Sequence, residues 1–176
     1  MKTTLPKDKY QTRVEIAKDV LKHLKRRKFT ASLGKYTEID GEIKFDKSLS
    51  AQKIVKNAKV CNVCAKGAIT LAWVEKFNNA NASIFSASDT EISSMPKDMV
   101  EIFGQPLLDA LETAYEGKAY STTAHSIPLA FENYFPNCSR FNKDTDEITR
   151  TEKIEALMNN IIRNKGFLKL HGYVIG

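Results

Sequence analysis

The chain has 176 residues, 27% of them charged and 42% hydrophobic, with a net charge of +6. One globular domain over 1–176 can bury a core of its own at this length, without disulfides or a structural metal. No window nears the roughly 18 apolar residues of a membrane span, the N-terminus has no apolar signal core, and three cysteines read as reduced thiols, so membrane insertion and export are not expected and the cytoplasm is.

Charge is polarised. Residues 1–80 carry 18 Lys/Arg against 8 Asp/Glu, whereas residues 81–176 carry 9 against 13. A basic half permits an electropositive face for a phosphate-bearing or acidic partner, and equally a head-to-tail homo-oligomer. The first element is a helix over 8–28, where Tyr10, Val14, Ala17, Leu21 and Leu24 fall on one stripe. Pro6 suits its entrance, and Asp8 suits the positive end of its dipole. Asp40-Gly41, between two β-type runs, signals a hairpin over 36–45 with Tyr36, Ile43 and Phe45 on one face. Ser48 or Ser50 caps a short helix carrying Ile54 and Val55.

A helix over 61–77 follows, and residues 79–95 read as a polar loop. MPKDMVEIFG and QPLLDALETAYEG give two helices, closed by Gly104 and Gly117 as left-handed caps. Residues 118–143 are irregular. Thr149 and Glu152 form a capping box for the last helix, with Ile154, Leu157, Met158, Ile161 and Ile162 on its stripe and Gly166 at its end. FLKLHGYVI, residues 167–175, alternates like a strand and can pair with the 36–45 hairpin. The expected fold is α+β and mainly helical: a single-domain helical bundle with a small antiparallel sheet.

Cys61 and Cys64 form a C-x-x-C. As zinc ligands they need two more partners from Cys138, His23, His125 and His171, and no second paired motif supplies them. A redox role needs a preceding strand and a βαβ surround, which the sequence does not announce. The plainer expectation is packing, with Cys64, Gly67, Ala68 and Leu71 forming a narrow seam for a neighbouring helix. No cofactor is expected.

KHLKRRK, residues 22–28, is basic at six of seven positions. Helical spacing puts Lys18, Lys22, Lys25 and Arg26 along one side, with His23 in the same run and Arg27 and Lys28 at the tip. Such a row can contact phosphates or an acidic protein surface, or can simply be a solvated face that complements the helix dipole. Only Phe29 and Tyr36 are near enough to stack on bases. Interface anchors are expected where arginine meets an aromatic, at Arg26, Arg27, Phe29 and Tyr36.

Catalytic patterns are sparse. Asp144-Thr145-Asp146-Glu147 lacks the glycine and the closing glutamate of a calcium loop, and reads as acids before a helix. Thr122, Thr123, His125 and Ser126 make a polar cluster on a loop, more ordinarily solvent-facing than catalytic. No G-x-S-x-G, Walker A or Rossmann fingerprint occurs, so an enzyme is the less favoured class.

CNVCAKGAITLAWV resembles a C-x-V-C-A-x-G-A box, and EKIEALMNNIIRNKGFLK resembles a closing M-x-N-I-I-x-N-x-G-x-F pattern. LLDALETAYEG between them is similar to an L-I-E-x-A-F-E stretch. These motifs belong to small, uncharacterised proteins typical of tailed bacteriophages and their prophages. About a quarter of the chain is covered; Lys165-Gly166-Phe167 closes up the last spacing, and 118–143 has no counterpart. The resemblance implies context, a phage-encoded accessory protein in the bacterial cytoplasm, and assigns no catalytic residue. The expectation is a non-enzymatic binding protein of anti-defence type. It would mask a host protein with an acidic surface or sequester an anionic nucleotide. The alternative is sequence-independent nucleic-acid binding through the basic half, and a further one is a zinc-dependent protein centred on Cys61 and Cys64.

Overall fold

The computed structural model describes residues 8–32, 37–40, 50–77, 95–117, 147–170 and 172–176. The Pro6 entrance, the Gly41 turn with its return arm, the 79–94 loop and residues 118–143 lie outside the described residues. The first helix, α1, spans Lys9–Lys25. Asp8 opens it, its Oδ1 accepting the backbone N–H groups of Tyr10 at 2.9 Å and Gln11 at 3.2 Å. The expected helix over 8–28 stops at Lys25 because Arg27 takes a left-handed conformation, φ 56. Lys28 N–H then reaches back to His23 O at 3.0 Å and Arg27 N–H to Leu24 O at 2.9 Å. These two bonds are a Schellman stop, with arginine where glycine is usual.

That reversal launches β1, Phe29–Ala31. β2 is Thr37–Asp40, α2 is Ala51–Asn57 and β3 is Val60–Val63. The three strands lie in the order β1-β3-β2, with Phe29 opposite Cys61 in parallel and Ile39 opposite Cys61 in antiparallel register. The first C-x-x-C cysteine therefore lies in a central strand and does not start a helix. Val60, Cys61, Asn62 and Val63 alternate in burial, and a flanking strand on each side takes up their backbone groups. Ser50 caps α2 by accepting Lys53 N–H at 3.4 Å.

α3, Ala65–Phe77, follows β3 directly. Every residue from Ala65 to Val74 is buried, so α3 is apolar all round and sits at the centre of the molecule. α4 is Lys97–Phe103 and α5 is Gln105–Glu116. Gly117 is a left-handed cap, as expected, but Gly104 at φ 75 and ψ 136 is not; it links α4 straight into α5. α6, Glu147–Arg163, starts two residues before Thr149, so that residue lies inside the helix and not at a capping box. It ends in the same Schellman stop as α1, with Lys165 at φ 53 and Gly166 N–H donating to Ile161 O at 2.9 Å.

Among the described residues β4, Leu168–Leu170, and β5, Tyr173–Ile175, pair only with each other. The expected pairing with the 36–45 hairpin is not made with its described arm, Thr37–Asp40; Gly172 at φ 88 folds the segment back on itself instead. The Asn160 amide acts as a surrogate strand: Nδ2 donates to Lys169 O at 2.7 Å and Oδ1 accepts Lys169 N–H at 3.0 Å. The architecture is α+β and mainly helical, with side chains from all six helices in one buried cluster.

β1 and β3 are parallel, α1 turns into β1 and β3 runs into α3. The C-terminal ends of α1 and α3 therefore lie together, at the entering end of the two strands. Arg13, 1% exposed, bolts the opposite end. Its Nε donates to Ile102 O at 2.8 Å, Nη2 to Phe103 O at 2.9 Å and Nη1 to Gly166 O at 3.1 Å. Replacing Arg13 by leucine leaves three carbonyls without their donor, and is expected to lower the unfolding free energy by about 3 kcal/mol in urea titration. An unchanged midpoint would contradict the bolt.

Candidate anion-binding face

α1 buries Ile16, Ala17, Val20 and Leu24, and so turns Lys18, Lys22 and Lys25 to solvent. Arg26 and Arg27 extend the exposed row around the helix stop. From Lys18 to Arg27 the row covers about 13 Å at helical rise. The nearest acids on the same helix do not neutralise it. Glu15 and Asp19 are taken by Lys76 of α3, at 3.3 Å and 3.0 Å. None of the five cations pairs with a carboxylate among the described residues.

Three residues of the expected face turn inward instead. Glu75 on α3 accepts Lys28 Nζ at 3.0 Å and lies 3.2 Å from His23 Nε2. Phe29 is 2% exposed, its ring 4.6 Å from that of His23. Burial alone would raise the Glu75 carboxyl, but hydrogen bonds from His23 and Lys28, reinforced by their charges, hold it down at about 2. His23 and Lys28 thus serve an internal carboxylate, and Phe29 is core. Tyr36 lies outside the described residues.

The two thiols are sealed. Cys61 is wholly buried in β3, and Cys64 occupies the position before α3, where its Sγ accepts Gly67 N–H at 3.4 Å. Burial pushes both thiols up to about 12, which leaves almost no thiolate at neutral pH. The strand that a redox reading demanded is present, since β3 leads into α3, but it encloses the sulfurs. Among the described residues no three potential metal ligands gather; Cys138, His125 and His171 lie outside them.

Sequence reasoning missed a second polar cluster. Lys66, in the first turn of α3, has its ammonium 2.9 Å from Glu112 and 3.5 Å from Asp109, both on α5. Gln105 adds a 2.7 Å hydrogen bond to Asp109. A lysine at a helix N-terminus opposes the dipole, so two facing carboxylates offset both the side chain and the helix end. The available signal was one lysine inside the apolar run 60–74, facing acids three residues apart at 109 and 112. The cluster pins α3 to α5.

No family model, curated protein or solved structure matches the chain.

Iodoacetamide on the native protein should leave Cys61 and Cys64 unmodified while unfolded chain reacts at both, as read by peptide mapping. Rapid native labelling would contradict their burial. The depressed Glu75 carboxyl contributes stability that is complete above its ordinary value of 4.5 and is lost as pH falls towards about 2. Wild type should therefore exceed Glu75→Gln in melting temperature at pH 6, with the gap closing through that window. A gap independent of pH would remove the assignment.

Proposed function

We propose that the protein is a non-enzymatic accessory protein that binds a nucleic-acid phosphate backbone, without sequence preference, through the exposed face of α1. The carrying observation is a convex row of five exposed cations, Lys18, Lys22, Lys25, Arg26 and Arg27, that among the described residues have neither a carboxylate partner nor an exposed aromatic beside them. A protein–protein interface centres on aromatic or aliphatic anchors in a desolvated pocket. Of the two expected aromatic anchors, Phe29 is inside and Tyr36 lies outside the described residues. The large hydrophobics that are exposed among the described residues, Tyr173 and Val174, belong to β5. Masking an acidic host surface is therefore the weaker use of this face. A convex helix also cannot enclose a small nucleotide. A phosphate backbone requires neither anchor nor cavity, because its affinity comes from counterions released by Lys and Arg. In the phage context that the sequence resembles, the nucleic acid would be met in the bacterial cytoplasm.

Binding of a DNA duplex should weaken with salt, with a slope of log K on log salt near −0.9 per phosphate contacted and roughly −4.5 for the five cations. The variant Lys22→Glu/Lys25→Glu/Arg26→Glu should lose duplex binding and heparin retention while its circular dichroism stays unchanged. Salt-independent binding, or retention undiminished in the variant, would remove this function.

A further inference from the structure

The cationic face does not end with α1. Gln52, in the first turn of α2, donates from Nε2 to the backbone carbonyl of Glu75 at 2.6 Å. That is the residue whose carboxylate holds His23 and Lys28, so α2 begins beside the C-terminal end of α1. Its other end leads into β3, where Cys61 N–H donates to Lys28 O at 2.8 Å. In the parallel register Phe29 lies opposite Cys61. Lys59 directly precedes β3, and so enters that strand beside the stop of α1. Lys53, Lys56 and Lys59 are all exposed, and none pairs with a carboxylate among the described residues. Lys53 and Lys56 are three apart on the helix and so project to one side.

Two rows of cations therefore meet at one end of the molecule, five on and after α1 and three on and after α2. Complementing the helix ends does not account for all of them: Lys56 is in the last turn of α2, but Lys53 is in its first turn and Lys59 lies beyond it. Both helices pack on α3. A helix with its side chains is about 10–12 Å across, and the major groove of B-DNA, rimmed by phosphates on both sides, is about 12 Å wide. A single strand would instead call for aromatic platforms on which unpaired bases stack. Phe29, the aromatic nearest the rows among the described residues, is core.

Resting on the phosphate-binding function proposed above, we infer that α2 supplies the second half of the site and that the ligand is a duplex. The α1 row contacts one phosphate strand, while Lys53, Lys56 and Lys59 contact the other. Those three lysines fall outside the basic run that marks α1 in the sequence.

The test uses the full chain and a short fluorescein-labelled DNA duplex titrated over a range of salt. Lys53→Gln/Lys56→Gln/Lys59→Gln should make the salt slope shallower by about 2–3 and weaken binding at low salt by about tenfold or more. Arg163→Gln/Lys165→Gln removes exposed charge at the far end of α1, beside Tyr10, and should leave the slope as it was. Should the triple variant melt below wild type, Lys59→Gln alone, outside the helix, carries the test with a change of about 0.9. A wild-type slope in the α2 variant, an equal loss in the far-end variant, or tighter binding of a single strand overturns the inference. If α1 charge reversal still abolishes binding in those cases, the proposed function stands without it. A wild-type protein with no affinity for either probe overturns both.

Discussion

A buried guanidinium sets the orientation of the first helix, and most of the molecule is arranged around it. Arg13 is hydrogen-bonded to carbonyls at the end of α4 and at the stop of α6, and its guanidinium lies 5.2 Å from the centre of the Tyr10 ring. The negative ends of two helix dipoles thus balance its charge. Burial lowers its pKa, yet arginine remains protonated throughout the accessible range. Gly166 is part of the same joint. A Cβ there would lie 2.7 Å from Tyr10 O, so the two helices meet backbone to backbone. Once α1 is fixed in rotation at Arg13, its later turns have no freedom. Ile16, Ala17 and Val20 go in, and Lys18, Lys22 and Lys25 go out.

Charge is sorted by the same geometry. Lys66 and Lys76 face carboxylates across helix contacts, and Lys28 with His23 faces Glu75. These are ties between elements. The cations of the exposed rows have no such ties among the described residues, and exposed charges of this kind act over a range set by salt. Glu75 matters most to this division, because its carboxylate joins α1, the approach to β1 and α3, while its carbonyl holds α2. Without the carboxylate His23 and Lys28 would lose their shared acceptor, while Gln52 would keep its own, a main-chain carbonyl.

Most of the helices were legible because they carry an apolar stripe or a capping residue; α3, apolar all round, was legible by its length and composition. Asp8, Ser50 and Gly117 do in the structure what their chemistry suggested. The outward direction of Lys18, Lys22 and Lys25 was legible for the same reason, since a period of 3.6 fixes it. The short strands were not. Three or four residues hold no usable periodicity, and VCNV runs without a break into an apolar helix, so 61–77 read as one element. The inward turn of His23, Lys28 and Phe29 depends on a carboxylate 47 residues further along the chain from Lys28, which no local pattern reveals. The lysines of α2 were invisible as part of a face, because only long-range contacts, Gln52 on the Glu75 carbonyl and Cys61 N–H on Lys28 O, bring α2 to the end of α1.

The side chain of Asn160 has a consequence for how this molecule meets others of its kind. Its amide occupies the outward N–H and C=O of Lys169, so the C-terminal hairpin has one sealed flank and, among the described residues, one unpaired flank at β5. Strand-by-strand accretion needs two open flanks on every copy. Through this hairpin a second chain can join but a third has nowhere to attach, so edge pairing terminates at two and cannot propagate into a fibril.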